Sequence, residues 1–441
     1  MTDVAVLDSY QAACFEEYLS GRNVGIFACA GSGKSVLLRA IIRDAVARGG
    51  PSGVAVCSWY GAAADLIWGS TLNSFFGCGI WLASPDQFLT AVKAKTRLAA
   101  KLKDVRVLVV DEVFTITAGW FIVYIKLLRG LAPAGSQQHT AGGVQVILAG
   151  DPMQTLPVDL SNSTSNRIIF QCLQWRSLFQ PWRGSCRMLL GNHRHGGDSI
   201  FEAMLMRLRV GSQTLDDVAR INATWAAFSD EQRLRMPQLR ALRVSASLHN
   251  LERLAELPGD AVSFFAVDVV TAVTTEDKLL AKERLEQHAD AKVTFKVNAP
   301  VVALRRVAPT VPTGTVGRVV GLTQRDGIDC VFRGVTVRVQ SATWDVFNSR
   351  GLLIGKRTQV PLLLAWALTI HRAQGSEMEC VCIDFSRDGW ACEGLVYTAV
   401  SRVRFLRSLC VRGLTMAHIK TSPACLAFWT ALVEESTGAA K

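Results

Sequence analysis

Residues 24–35 read VGIFACAGSGKS, an apolar run that passes into a glycine-rich turn closed by Gly33, Lys34 and Ser35. The apolar part predicts a buried strand, and residues 36–46, VLLRAIIRDAV, carry apolar side chains at helical spacing. A strand, a glycine-rich turn and a helix in this order are typical of a phosphate-binding loop. The stretch therefore predicts an α/β fold built around a bound nucleotide.

The helix after the turn would present backbone N–H groups to phosphate oxygens at its N-terminus. The predicted phosphate contacts are Gly31, Ser32, Gly33 and Lys34. Lys34 would meet the terminal phosphates, and the hydroxyl of Ser35 would coordinate Mg²⁺. The usual motif begins with a glycine where this chain has Ala28, so the loop must turn there without a positive φ angle.

A second apolar run, VRVLVVDEV at residues 105–113, places two acidic residues at the end of a predicted buried strand. A loop that hydrolyses ATP needs a metal ligand and a group that activates water beside it. We expect Asp111 to hold Mg²⁺ and Glu112 to polarise the attacking water.

A third buried strand is predicted in residues 144–158, VQVILAGDPMQTLPV. Its polar carboxyl end lies at the edge where ligands bind in open α/β sheets. Gln154 would sense the γ-phosphate there. Asp151 is equally compatible with a ligand contact and with a turn.

Phosphoryl transfer also needs positive charge on the transferred group, and arginines of a neighbouring domain often supply it. Two candidates are Arg194 in GNHRHGGD and Arg402 in VYTAVSRVR, although each taken alone resembles an ordinary surface arginine. His193 and His195 flank Arg194, but no further His or Cys pair at suitable spacing completes a zinc site.

The composition is that of a globular protein, since 49% of the 441 residues are hydrophobic and 19% are charged. The formal net charge is +11, and residues 301–357 alone hold nine Lys or Arg against three Asp. This excess favours a polyanionic partner. The apolar run VPLLLAWALTI is about half the length of a membrane span, and the N-terminus lacks a signal-peptide pattern, so we expect a soluble, unsecreted protein with no membrane partner.

In this order and at these intervals, the phosphate-binding loop, DEV, GDPMQ, NHRH and VSRVR resemble the motifs of superfamily-one helicases. Four longer segments make the chain similar to the Pif-type, RecD-like 5′-to-3′ DNA helicases: TLNSFFGCG (71–79), LPGDAVSFFAVD (257–268), GTVGRVVGL (314–322) and PLLLAWALTIHRAQGSEME (361–379). The resemblance runs almost from end to end, and the last segment is the most specific.

The resemblance implies roles for individual residues. It makes Gln11 the glutamine that recognises adenine. It implies a catalytic set of Lys34, Glu112, Gln154, Arg194 and Arg402, with Ser35 and Asp111 at the metal. It implies contacts with the single strand, or coupling of that contact to the nucleotide, for Thr71, Ser74, Phe75, His371 and Gln374.

The chain departs from the family pattern at several positions. Asn73 replaces His, Arg372 replaces Lys and Glu377 replaces Thr, and Thr155 is a further deviation. An added carboxylate at Glu377 would repel a DNA strand unless it points away from it or pairs with Arg372. No departure removes a catalytic group, so we expect an active enzyme.

Both halves of the chain alternate strands and helices, which favours two RecA-like α/β domains with ATP between them. The first domain would span residues 1–185, with a small DNA-facing excursion at about 59–79. The second would span residues 186–300 and 358–441. Short runs within 301–357 alternate apolar and polar residues, which predicts an inserted, basic, SH3-like β-barrel.

The combined interpretation is an ATP- and Mg²⁺-dependent helicase, monomeric in solution, that moves 5′ to 3′ on single-stranded DNA and unwinds duplex, junction or structured DNA. The resemblance implies work in replication, recombination, repair or telomere maintenance. One alternative is a superfamily-one RNA helicase of the plus-strand virus type, against which the segment at 361–379 argues. Another is an ATP-gated nucleic-acid scaffold without productive unwinding, motivated by Ala28 and Glu377.

Overall fold

The computed structural model describes residues 7–77, 85–157, 168–179, 186–189, 197–323, 327–348, 352–390 and 392–436. The first part of the chain contains α1 (Ser9–Leu19), β1 (Val24–Ala28), α2 (Lys34–Gly49), β2 (Val54–Ser58), α3 (Gly61–Leu66), β3 (Ser70–Thr71), α4 (Leu72–Phe76), α5 (Pro85–Ala94), α6 (Thr96–Lys103), β4 (Val107–Asp111), α7 (Ala118–Leu131), β5 (Gln145–Gly150), α8 (Leu173–Phe179) and β6 (Cys186–Leu189). Its strands form one parallel sheet in the order β3-β2-β4-β5-β1-β6.

This first sheet is buried on both faces. Every residue of β1 is buried, and β4 and β5 are buried except at their first residue, as the continuous apolar runs predict for a parallel sheet covered by helices. The carboxyl ends of β1, β4 and β5 therefore meet at one edge. The predicted boundary at residue 185 is wrong by one strand, because Cys186–Leu189 pairs with β1 inside this sheet.

The chain continues through α9 (Ser199–Val210), α10 (Leu215–Ala223), α11 (Asp230–Arg235), β7 (Gln238–Arg240) and α12 (Arg243–Glu256). It then enters an antiparallel region made of β8 (Val262–Phe265), β9 (Val267–Val270), α13 (Thr275–His288), β10 (Lys292–Phe295), β11 (Pro300–Ala303), β12 (Val316–Thr323), β13 (Gly327–Phe332), β14 (Val335–Val339), β15 (Ala342–Phe347), β16 (Leu353–Gln359) and β17 (Leu362–Leu364). It ends with β18 (Ala367–Thr369), α14 (Ile370–Ala373), β19 (Val381–Asp384), α15 (Leu395–Val400), β20 (Leu409–Arg412) and α16 (Pro423–Ser436).

A second parallel sheet, in the order β18-β7-β19-β20, forms the core of the second domain. Two parallel sheets, each flanked by helices, confirm the predicted pair of RecA-like domains. In the chain, β7 of this sheet precedes the antiparallel region, and β18, β19 and β20 follow it. The antiparallel region is therefore an insertion in the second domain.

The insertion is larger than predicted. Antiparallel pairing begins at β8 and ends at β17, so the inserted region runs from Val262 to Leu364 rather than over residues 301–357. Its described strands form a five-stranded sheet, a three-stranded sheet and the pair β8 and β10. Phe295 and Phe332, which are 0% and 1% exposed, anchor a hydrophobic core of its own. The sequence boundary was too narrow because the first two strands, β8 and β9, lack strict alternation of apolar and polar residues.

The last helix, α16, was expected in the second domain but packs on the first. The ring of Phe428 stacks on Phe170 with centroids 4.3 Å apart and an interplanar angle of 14°, and it meets Phe27 of β1 edge-on at 5.5 Å. The apolar pattern of α16 predicts a buried helix but carries no information about which sheet it covers. Among the described residues, no helix is both long enough and apolar enough to cross a membrane.

Candidate nucleotide-binding and DNA-binding sites

The glycine-rich turn joins β1 to α2 at the sheet edge. Ala28 is the last residue of β1, and the left-handed positions that close the turn are Gly31 and Gly33, with φ angles of 88° and 79°. Position 28 therefore does not use the positive φ that the missing glycine would permit. The first turn of α2 starts at Lys34, so the backbone N–H groups of the loop face the cleft at a helix N-terminus.

Lys34 is held at the base of the loop. It is 9% exposed, and its Nζ donates hydrogen bonds to the carbonyl oxygens of Ala28 and Cys29 at 3.1 and 3.2 Å. These two contacts orient the ammonium group toward the loop interior, where a phosphate oxygen would be bound.

Gln11 lies on α1 beside the loop, and its side-chain amide is engaged at both ends. Its Oε1 accepts from the backbone N–H of Asp8 at 3.0 Å, in a capping box at the start of α1. Its Nε2 donates to the carbonyl of Gly33 at 3.3 Å. The residue thus ties α1 to the phosphate-binding loop, and adenine recognition by Gln11 stays a prediction.

Asp111 and Glu112 follow at the end of β4. The Oδ1 atom of Asp111 accepts from the backbone N–H of Glu112 at 2.8 Å, and Glu112 adopts a left-handed conformation with φ of 53°. Burial, together with the neighbouring Glu112 carboxylate, raises the pKa of Asp111 to about 7, and Lys34 opposes that rise. A divalent cation here would favour the ionised carboxylate.

Gln154 lies beyond the end of β5 and also faces the cleft. It is 3% exposed, and its Oε1 atom has no hydrogen-bond partner among the described residues. Buried polar atoms are normally paired, and an unpaired one at a ligand site indicates a polar ligand. Rotation of the amide would present Nε2 to a phosphate oxygen instead.

These groups line one cleft of about 430 Å³ between the two domains. The first domain contributes Ala30, Gly31, Ser32, Gly33, Lys34, Ser35, Val36, Arg39, Leu66, Asp111, Glu112 and Gln154, and the second contributes Gly375, Glu377, Arg402 and Arg404. The structure therefore brings together every predicted phosphate, metal and water-activating residue that it describes. Arg194, the other predicted arginine, lies outside the described residues.

Arg402 reaches the cleft from the end of α15. It is 2% exposed, and its guanidinium donates to the carbonyl of Thr398 at 2.7 Å, to the Ser401 hydroxyl at 3.0 Å and to the carbonyl of Ser376 at 3.3 Å. These contacts fix a positive charge opposite the phosphate-binding loop. This position fits the predicted catalytic arginine supplied by a second domain, and that role stays a prediction.

The ion pair between Glu377 and Arg404 was missed in the sequence. Both side chains line the cleft, and Arg404 Nε donates to Glu377 Oε1. Glu377 thus points toward the nucleotide site, and its described partner is Arg404 rather than the expected Arg372. Two signals were present: Glu377 departs from the family pattern, and Arg404 stands two residues after Arg402.

Gln374 is buried beside the cleft rather than on a surface. It is 1% exposed, its Nε2 lies 3.4 Å from Oε2 of Glu112, and its Oε1 accepts from the hydroxyl of Thr155. This geometry fits coupling of the two sites. Direct contact between Gln374 and DNA stays a prediction, and a side chain this buried does not touch a strand in the observed conformation.

The predicted DNA-facing residues of the first domain lie on the short helix α4. The Thr71 hydroxyl accepts from the backbone N–H of exposed Ser74 at 3.3 Å and caps this helix. Phe75 is only 9% exposed, and the Nζ atom of Lys101 lies 3.8 Å from its ring centroid. Phe76 is fully buried. Phe75 is therefore a core side chain covered by a cation in this conformation, and the remainder of the predicted excursion, residues 78 and 79, lies outside the described residues.

His371 and Arg372 continue from β18 on α14. Burial lowers the pKa of His371, so its imidazole is neutral at pH 7. Arg372 lines a separate cavity of about 220 Å³ between α12 and the insertion, together with Arg243 and Lys292. Burial and the charge of Arg243 lower the pKa of Arg372 to about 10, which leaves it cationic at pH 7. Asp290 also lines this cavity and pairs with Arg243 at 2.7 Å, which partly neutralises its positive charge.

The basic excess of the insertion is partly neutralised. Arg338 pairs with Asp329 at 2.7 Å, and buried Arg357 pairs with Asp268 at 2.7 Å and Glu286 at 2.8 Å. Lys356 and Arg333 form longer ion pairs with Asp345 and Asp65. Within the described residues, Arg305, Arg306 and Arg318 donate to backbone carbonyls instead. They are the insertion's better candidates for phosphate contacts.

The family model described as PIF1-like helicase matches residues 6–213, and the one described as UvrD-like helicase C-terminal domain matches residues 364–404. The ATP-dependent DNA helicase PIF1 of Xenopus laevis is 29% identical, over 97% of this chain and 65% of that protein. The ATP-dependent DNA helicase Pif1 of Bdellovibrio bacteriovorus is 28% identical, over 96% of this chain and 91% of that protein.

The chain is similar to Pif1-like helicases along almost its whole length. It superimposes on the crystal structure of Pif1 helicase from Candida albicans with a TM-score of 0.83 at 25% identity, covering 97% of this chain and 99% of that one. The structure of Bacteroides Pif1 in complex with ADP-AlF3 and ssDNA shares the fold, with a TM-score of 0.75 at 21% identity, over 97% of this chain and 98% of that one. The chain spans less than two thirds of the length of the Xenopus, rat and human PIF1 helicases that it matches.

Proposed function

We propose that the protein is an ATP-dependent DNA helicase that moves 5′ to 3′ along single-stranded DNA and unwinds duplex, junction or structured DNA as a monomer. The observation that carries the proposal is the cleft itself, in which the phosphate-binding loop of one domain faces Arg402 of the other. Sequence relatives named as ATP-dependent DNA helicases support the choice of reaction.

The predicted catalytic and metal-binding residues of the ATP site each have a role. Lys34 and the N–H groups of the loop would bind the phosphates, while Ser35 and Asp111 would hold Mg²⁺, whose charge offsets that of the phosphate oxygens. The described residues contain no cluster of three or more acidic, His or Cys side chains that could hold a metal alone, which fits a cation shared with phosphates. Glu112 would accept the proton of the attacking water, and Arg402 would stabilise charge on the transferred group.

Nucleotide binding would then draw the two domains together, because the site is complete only when Arg402 faces Lys34. Gln374 connects Glu112 to α14, which carries His371 and Arg372. A shift of α14 on a bound strand would therefore alter the contact with Glu112. Alternating closure and opening would move the strand, with Lys and Arg contacts to phosphates and no need for sequence recognition.

The test is ATP hydrolysis by the purified protein alone, with single-stranded DNA, and with single-stranded RNA of the same sequence. The proposal expects strong stimulation by DNA. Glu112→Gln should still bind ATP and DNA but hydrolyse poorly, whereas Lys34→Ala should lose ATP affinity as well. Forked substrates with only a 5′ or only a 3′ tail give the polarity, and light scattering gives the oligomeric state.

The outcomes separate the alternatives. Preferential stimulation by RNA would favour the viral-type RNA helicase. Binding of DNA without stimulated hydrolysis would favour an ATP-gated scaffold. Roles in replication, recombination, repair or telomere maintenance follow only if 5′-tailed DNA is unwound.

A further inference from the structure

A buried tyrosine of the second domain touches the phosphate-binding loop of the first. Tyr397 lies on α15 and is 3% exposed. Its hydroxyl accepts a hydrogen bond from the backbone N–H of Ala30 at 3.2 Å and donates one to Oδ2 of Asp151 at 3.0 Å. From the sequence, Asp151 was equally compatible with a ligand contact and with a turn. In the structure its side chain accepts a hydrogen bond from Tyr397.

Asp151 is the centre of a fully buried ionic network. Arg209 of α9 donates to its Oδ1 through Nε at 3.1 Å and through Nη2 at 2.8 Å, and the backbone N–H of Met153 donates to the same oxygen at 3.1 Å. The Arg209 guanidinium lies 3.6 Å from the ring centroid of Trp429 on α16. Both charged side chains are 0% exposed. Separating the two side chains would leave an unpaired buried charge, which is strongly unfavourable. The ion pair therefore holds Asp151 in a fixed position.

Helix α15 and the residue before it make two more contacts with the loop that carries Gln154. The backbone N–H of Thr155 donates to the hydroxyl of Thr398 at 3.0 Å. Gly394, just before α15, packs so closely that a Cβ atom there would lie 2.4 Å from the carbonyl oxygen of Gln154. Residues 151–155 are therefore docked along α15, and Arg402 follows directly after that helix.

We propose that Tyr397 is a positioning residue for Arg402. Its hydroxyl joins α15 by hydrogen bonds to the start of the phosphate-binding loop and to Asp151. When the terminal phosphate displaces the loop that carries Gln154, α15 and Arg402 therefore move with that loop. The inference deepens the proposed ATP hydrolysis and rests on it. Tyr397 acts through the helix and touches no reacting atom.

The chain offers a matched control at Tyr18. That residue is 1% exposed, and its hydroxyl donates to Asp44 at 2.7 Å and accepts from Arg48 at 2.5 Å. The trio has the same residue types as Tyr397, Asp151 and Arg209, although Arg48 bonds to the tyrosine itself and its ion pair with Asp44 is partly exposed. It joins α1 to the far end of α2, away from the cleft.

The experiment compares Tyr397→Phe with Tyr18→Phe in DNA-stimulated ATP hydrolysis, with thermal unfolding measured for both. Loss of one buried hydroxyl partner should lower kcat by roughly tenfold in Tyr397→Phe and change KM by less than about threefold. Tyr18→Phe should keep kcat within about twofold of the wild type, even if its melting temperature falls as much as that of Tyr397→Phe. An unchanged kcat in folded Tyr397→Phe would overturn the proposal.

A double variant separates positioning from a general structural effect. If Tyr397 acts through Arg402, then Tyr397→Phe combined with Arg402→Lys should be no more than about twofold slower than Arg402→Lys alone. Rate losses that multiply would refute the positioning role. Should Tyr397→Phe not fold, Thr398→Val removes the parallel contact to Thr155 and is tested in the same cycle. Both experiments measure ATP hydrolysis and not unwinding. If the protein showed the expected coupling between Tyr397 and Arg402 but unwound no DNA, the proposed helicase activity would be refuted and the positioning role of Tyr397 would stand.

Discussion

The side-chain amide of Gln374 contacts the carboxylate of Glu112 across the cleft, with 3.4 Å between Nε2 and Oε2. The two residues come from different domains and stand 262 positions apart in the chain. Glu112 is the residue proposed to activate water, and Gln374 follows the segment that carries His371. The contact links the predicted DNA side of the second domain to the residue proposed to activate water.

Replacing Gln374 with alanine should therefore uncouple the two sites. We expect the ratio of DNA-stimulated to unstimulated ATP hydrolysis to fall at least fivefold, which corresponds to about 1 kcal/mol of lost coupling. Steady-state hydrolysis with and without single-stranded DNA measures this ratio. Gln145→Ala is the control, because Gln145 lies at the opposite end of β5 and bonds to the carbonyls of Tyr18 and Arg22. An unaltered ratio in Gln374→Ala would rule out this route of coupling.

Glu377→Thr, which restores the residue usual in the family, should lower the KM for ATP by roughly threefold. Glu377 places a carboxylate in the phosphate-binding cleft and engages Arg404. Removal of the carboxylate takes away repulsion of the phosphates and releases the Arg404 guanidinium toward them, an effect of under about 1 kcal/mol for a partly exposed pair. Initial-rate measurements over a range of ATP concentrations give KM. Glu377→Thr in an Arg404→Ala background is the control, since the gain should shrink there, and a raised KM in Glu377→Thr alone would contradict the expectation.

The sequence predicts the parts of this site that depend on local motifs. Lys34, Ser35, Asp111 and Glu112 are each fixed by a strand and the turn that follows it, and the structure places all of them at one sheet edge. Arg402 needed the family resemblance, because an isolated arginine near a strand carries no chemical signature.

The remaining features depend on contacts between distant parts of the chain. Tyr397 and Asp151 are 246 residues apart, and no local pattern marks a tyrosine in an apolar helix as the partner of a loop aspartate. Phe75 was equally compatible with base stacking and with a core position, and only the packing of Lys101 over its ring decides its observed environment. The placement of α16 was missed for the same reason, since an apolar helix face fits either sheet.

Truncation of the Phe428 side chain should destabilise the protein, because α16 packs on the aromatic core of the first domain. Phe428 is 5% exposed and stacks on Phe170 within the aromatic cluster around Trp175. Phe428→Ala should lower the free energy of unfolding by about 3–5 kcal/mol, as for other buried phenylalanines. Urea denaturation measures the change. Leu279→Ala is the control, because Leu279 is 71% exposed and should change stability by less than about 0.5 kcal/mol. Equal stabilities of the two variants would contradict the packing of α16.

The stability of the insertion should depend on pH through His288. Burial, with the charges of Arg305 and Arg357, lowers the pKa of His288 from 6.5 to about 4. Between pH 6.5 and about pH 4, the unfolded chain binds a proton at His288 and the folded chain does not. The contribution of neutral His288 to stability is therefore complete above pH 6.5 and is lost as the pH falls toward 4. The loss should reach about 2 kcal/mol at pH 5. His288→Gln cannot titrate, so urea denaturation at pH 7 and pH 5 should show a smaller acid destabilisation in His288→Gln than in the wild type. Equal acid destabilisation in both proteins would mean that His288 is not the group that senses pH in this range.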